Sequence, residues 1–178
     1  DSPPKRHTVL GTYGVINHII PSYQGRNQHQ GLILLGGINT HFCWDNAVII
    51  EQLRQIAASS PNTEWLGSDS PRTPVGLLQE LANLALGNLK ILPYAETGSG
   101  WLPKILSAVG QVWVSCDSVS MVYESVSSGA PTGLLDLEPL RESRVTKSMA
   151  QLATSGLATA FVSADLTTPL APAEHPLW

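Results

Sequence analysis

QVWVSCDSVSMVYESVSSGAPTGLL, residues 111–135, decides the fold. An apolar run, Val112-Trp113-Val114, breaks into the polar turn Ser115-Cys116-Asp117-Ser118. A helical stretch containing Glu124 follows, and Gly129-Ala130-Pro131 leads into a second apolar run. Strand, helix and strand in this order form the unit of an open α/β sheet, whose ligands bind at the carboxyl ends of the strands. Val119, Val122 and Val126 recur at i, i+3 and i+7 and make one apolar stripe for the sheet. Ser120, Glu124 and Ser127 point the other way, with Asp117 at the N-cap position. The N–H groups of such a helix start, with the hydroxyls of Ser118 and Ser120, suit a phosphate. Glu124 lies too far along for the phosphate and suits ribose hydroxyls. An N-cap followed by a solvated glutamate satisfies the same spacing.

The flanking sequence repeats the alternation. Residues 32–35 read as a buried strand ending in Gly36-Gly37, and Asp45 caps a helix to about residue 58. A strand near 63–67, the turn SDSPRTP and a helix from Pro74 to Leu84 follow. Beyond them come a strand at 89–92, a helix at 100–108, and a helix at 141–154 closed by Gly156. The expected fold is α/β: a Rossmann-like parallel sheet with helices on both faces. The chain divides into an irregular segment at 1–30, with a candidate strand at 14–20, a nucleotide-binding domain at 31–165, and an extended Pro-rich tail at 166–178 that wraps back.

With 178 residues, 43% hydrophobic and 13% charged, the chain has the composition of a globular domain with a core. A net charge of −4 gives no basic footprint, which argues against a nucleic-acid partner. No apolar run is long enough for a spanning helix. Cys43 and Cys116 lack CxxC spacing, so reduced thiols and a cytoplasmic location, at most membrane-peripheral, are expected. Trp101 and Trp178 are candidates for an exposed apolar patch.

In a parallel sheet the turns after successive strands share one edge. Three such turns are well equipped: Gly36-Gly37-Ile38-Asn39-Thr40-His41, Ser68-Asp69-Ser70-Pro71-Arg72-Thr73, and 115–120. The glycine pair fits either close approach to a phosphate or a strand exit with positive φ, and it lacks the spacing of a dinucleotide fingerprint or P-loop. His41 is a turn residue or a catalyst. Arg72 can hold a diphosphate through two N–H groups or pair with Asp69. No HExxH, GxSxG or metal-spaced Cys/His cluster is present. Taken together, the turns describe a pocket for a phosphorylated ligand.

LLGGINTHFCWD (34–45), SDSPRTP (68–74) and SCDSVSMVYESVSSGAPTGLLDL (115–137) resemble the ELM-type mitochondrial fission proteins and their bacterial relatives. The resemblance runs over most of 14–165, and its last motif is the most specific. Pro71 stands where that family usually has the first of two arginines, leaving Arg72 to carry the role. The family is similar to the C-terminal, nucleotide-binding half of GT-B glycosyltransferases, and its bacterial members have carried nucleoside-diphosphate-sugar labels. The resemblance implies a nucleotide-sugar donor whose diphosphate meets Gly36, Gly37, Ser118 and Ser120 and whose ribose meets Glu124. Asn39, Ser68, Arg72, Thr73 and Asp117 complete the expected binding set, with His41 as the candidate catalyst. No covalently bound cofactor and no metal are expected. A GT-B enzyme has two such domains, so the resemblance also implies an N-terminal partner domain, without which the chain binds weakly and turns nothing over. A nucleotide-sugar 2-epimerase and a non-enzymatic interaction module are the alternatives.

Overall fold

A computed structural model of the protein describes residues 15–173. Its main strands, in chain order, are β1 (Asn27–Leu34), β3 (Glu64–Ser68), β4 (Leu89–Ile91), β5 (Val109–Ser115), β6 (Thr132–Leu135) and β8 (Thr159–Ala160). They form one parallel sheet in the order β4-β3-β1-β5-β6-β8. A second, antiparallel pair joins β2 (Phe42–Cys43) to β7 (Glu138–Pro139). The helices are α1 (Asn46–Ser59), α2 (Leu77–Asn83), α3 (Trp101–Ala108), α4 (Val119–Ser127) and α5 (Arg144–Thr154). This is the Rossmann-like α/β fold the alternation predicts. Counting the sheet strands alone, the order is 3-2-1-4-5-6, which reverses between β1 and β5.

The central strands are apolar on both faces because helices cover a parallel sheet on both sides. Register and the two-residue period place Gly31, Trp65, Gln111, Trp113 and Gly133 on one face. Leu32, Leu34, Val112, Val114 and Leu134 line the other. On the first face the two indoles lie over neighbouring glycines: a Cβ on Gly31 would meet Trp65 at 2.2 Å, and one on Gly133 would meet Trp113 at 2.4 Å. Each tryptophan is only 2% exposed, and Trp65 donates its indole N–H to Ser60 at the end of α1. Glycine on one strand thus makes room for a large ring on the next.

Several elements differ from the sequence expectation. Within 15–20 there is no strand, and Gly14 lies outside the described residues. β1 instead begins at Asn27, inside the segment 1–30 expected to be irregular. Pairing with β3 and β5 extends those residues, overriding their low strand propensity. α2 starts at Leu77 rather than Pro74, after Gly76 in the left-handed region at φ 96°. α5 starts at Arg144, capped by Ser143 in a reciprocal pair of bonds with Thr146. Asp45 caps α1 through Ala47 N–H, and Gly156 has the left-handed φ of 70° that a C′ glycine takes. Trp101 is half-buried against the core rather than part of an exposed patch, and Trp178 lies outside the described residues. The tail turns back over the sheet, where Leu170 N–H donates to Gln111 Oε1 at 3.1 Å. Among the described residues, no helix is long and apolar enough to cross a membrane.

Arg26 fastens the amino side of the fold. Its guanidinium donates to the carbonyls of Ser22, Leu106, Val109 and Ser128. It thereby satisfies carbonyls left over at the ends of α3 and α4.

Candidate functional site

The strand order puts the carboxyl ends of β3, β1 and β5 side by side, so the three polar turns meet at one rim. Gly37 N–H donates to Asp117 Oδ2 at 2.8 Å, and Gly36 N–H donates to Ser115 Oγ at 2.7 Å. Ile38 N–H donates to Arg72 O at 3.1 Å, and the Ser70 hydroxyl donates to Gly36 O at 2.8 Å. Thr73 Oγ1 also donates to Gly36 O, and it accepts from Ser70 N–H at 2.9 Å. Asn39 Oδ1 receives His41 N–H and Phe42 N–H, while its Nδ2 donates to Asp117 O at 3.2 Å. The rim is a closed set of bonds between turns that lie far apart in sequence.

The glycine pair is explained by this interlock. Neither glycine has a positive φ. A Cβ on Gly36 would lie 2.2 Å from the Asp117 carboxylate, and one on Gly37 would lie 1.9 Å from Arg72 O. What approaches these glycines closely is the protein itself.

Asp117 departs from the sequence expectation. Ser118 occupies the N-cap position of α4 and makes no side-chain cap bond. The Asp117 side chain points instead to the glycine turn and to Arg72, whose Nη1 lies 3.3 Å from Oδ2. Its Oδ1 is buried with no hydrogen-bond partner among the described residues. Burial pushes this carboxyl above the usual carboxylate range, while the Ser115 hydroxyl, the Gly37 amide and the Arg72 charge work against the rise. Arg72 does not pair with Asp69, which accepts from Tyr94 N–H at 2.7 Å.

The remaining predicted residues fall into two groups. Ser68 is buried at the end of β3, its carbonyl accepting from Leu35 N–H, so its side chain sits inside the fold rather than on the rim. His41 gives its carbonyl to Leu140 N–H, and its Nδ1 is buried without a partner among the described residues. Ser118 is buried at the start of α4, whereas Ser120 is exposed and Glu124 half-buried one turn further. Ser120 and Glu124 line a cleft of about 300 Å³ with Asn17, His18, Pro103 and Tyr123. Glu124 has no cation partner among the described residues, and burial pushes its carboxyl above the usual range. Ser127, expected to face outward, is buried and accepts from Asn17 Nδ2 at 3.0 Å. Ser70 and Ser115 hold the rim together, although only their presence in the polar turns marked them in the sequence.

The chain matches the family model described as Mitochondrial fission ELM1 over residues 2–177. It belongs to that family. The three quoted motifs that carry the resemblance all lie within the matched span, and the ELM1-family rim is built from them. No curated protein sequence matches the chain.

Proposed function

We propose that this ELM1-family chain is a nucleoside-diphosphate-binding domain of glycosyltransferase-like type, taking a nucleotide sugar at the carboxyl edge of its sheet. The observation that carries this reading is the reversal of strand order between β1 and β5, the crevice where open α/β sheets hold ligands. α4 begins in that crevice, and its macrodipole and first-turn N–H groups favour an anion. Since Ser115 and Asp117 engage the amides of the glycine turn, the diphosphate belongs at the start of α4, beside Arg72. One turn, about 6 Å, separates Ser120 from Glu124. That matches the step from diphosphate to ribose, and a half-buried carboxylate with no cation partner among the described residues suits ribose hydroxyls. Arg72 and the helix start would stabilise the departing diphosphate during glycosyl transfer, without covalent chemistry.

The internal engagement of the glycine amides favours a second reading, an interaction module that retains the fold without the chemistry. Exposed Ile16, which lines the cleft, and exposed Ile20 would serve such a surface. Calorimetry with UDP, GDP, CDP and ADP at millimolar concentration separates the two, since heat with none of them removes the nucleotide reading. Glu124→Gln is expected to weaken the best ligand roughly tenfold, because hydrogen bonds to a charged acceptor contribute about 1.5–3 kcal/mol and the neutral amide keeps about 0.5–1.5 kcal/mol of that. Unchanged affinity would detach Glu124 from the ribose.

A further inference from the structure

The two halves of the Arg72–Asp117 pair are held very differently. The Asp117 side chain is 1% exposed and that of Arg72 is 43% exposed. Asp117 receives Gly37 N–H at 2.8 Å and fills space that exists only because Gly36 has no Cβ. Arg72 reaches Asp117 through Nη1 alone, at 3.3 Å, and the same nitrogen makes 3.5 Å contacts with the carbonyls of Gly37 and Ile38. Its Nε and Nη2 make no bond among the described residues. The backbone at Arg72 is anchored separately, by Ile38 N–H on its carbonyl and by the Ser70 and Thr73 hydroxyls on Gly36. The guanidinium can therefore leave Asp117 without disturbing the loop that carries it, whereas Asp117 cannot leave the glycine turn without opening the rim.

We propose that Arg72 is the exchangeable arm of the site: it shifts from Asp117 onto the ligand's phosphate, while Asp117 stays on the Gly37 amide. Asp117 is then a positioning residue that sets phosphate affinity by competing for the Arg72 guanidinium. This deepens the nucleoside-diphosphate reading and rests on it. A guanidinium serves carboxylate and phosphate through the same N–H groups, so the two anions exclude each other at Nη1.

The test is calorimetry with whichever of the four nucleoside diphosphates binds best, on the wild type, Asp117→Asn, Arg72→Gln and the double variant. Removing the competing carboxylate should tighten binding roughly twofold to fivefold, the range set by a half-exposed ion pair. Arg72→Gln should weaken binding, and the double variant should bind like Arg72→Gln, because the arm that gained freedom is gone. Equal or weaker binding by folded Asp117→Asn overturns the proposal. So does a gain that survives in the double variant, which would mark simple charge repulsion. Should Asp117→Asn not fold, a crystal structure of the wild type with that nucleotide decides. Arg72 on the phosphate with Asp117 still on Gly37 N–H supports the exchange, and Arg72 still on Asp117 overturns it. Absence of heat in every protein retires the nucleotide reading and this proposal together.

Discussion

Alanine at Gly37 would pry the rim apart, and the cost follows from the geometry. The new Cβ would lie 1.9 Å from the Arg72 carbonyl oxygen, 2.1 Å from its carbon and 2.5 Å from Thr73 N. All three are backbone atoms, so no flexible side chain can yield. Gly37 does not have a positive φ, so conformational strain adds nothing and the whole effect comes from crowding. To reach ordinary contact the 70–73 turn must withdraw by about 1.5 Å, which breaks the 3.1 Å bond from Ile38 N–H to Arg72 O. Overpacking costs about 1–3 kcal/mol and each lost buried hydrogen bond about 1 kcal/mol. The expected loss is therefore about 3 kcal/mol, a large fraction of a domain's typical stability. Urea unfolding followed by tryptophan fluorescence measures it as a lower midpoint at unchanged slope. Gly87→Ala and Gly98→Ala are the controls, since a Cβ there meets nothing within 4 Å and neither has a positive φ; both should stay within about 0.5 kcal/mol of wild type. If Gly37→Ala unfolds with those controls, the interlock is not what demands glycine.

Arg26→Lys should cost about 2–3 kcal/mol, because one compact ammonium cannot span the carbonyls of Leu106, Val109 and Ser128, which accept from the Arg26 guanidinium at 2.6, 3.0 and 2.5 Å. A urea midpoint equal to wild type would refute the fastening role. Cys116 is buried, and burial pushes its thiol up to about 12, whereas Cys43 is exposed. A thiol-exchange reagent near pH 8 should titrate one cysteine in the folded chain and the second only after unfolding, so two rapid thiols would contradict the packing. Asp117 binds its proton more tightly in the folded state than an unfolded aspartate does. The cost of burying its charge is thus felt above the folded pKa and relieved as pH falls toward the unfolded value of about 3.9. Wild-type stability should rise relative to Asp117→Asn on acidification from neutral pH, and the opposite slope would sink this account of Asp117.

Local signals located the long elements well. Apolar runs marked the second half of β1, β5 and β6, the i, i+3, i+7 valines marked α4, and Asp45 and Gly156 marked helix ends with the geometry their side chains or φ permit. Elements held only by distant partners were not legible. β8 and the β2–β7 pair are two residues long per strand and carry no periodicity. The polar start of β1 became strand because two neighbours were available to pair with it. At the site, the polar turns announced which segments would meet. The partner each residue would choose was not announced: Asp117 left the N-cap for Gly37 and Arg72, and Asp69 went to Tyr94 rather than Arg72.

The amino-acid order alone established the alternation of strands and helices, the common rim of polar turns and the family likeness, because periodicity and capping act over a few residues. Tertiary structure alone decided the order of strands, and with it the reversal between β1 and β5. It also decided why Gly36 and Gly37 must be glycine and which side chains, Ser115 and Asp117, sit on their amides. The physical reason is range: a hydrogen bond across eighty residues of chain depends on which strands lie side by side, and no local pattern encodes that.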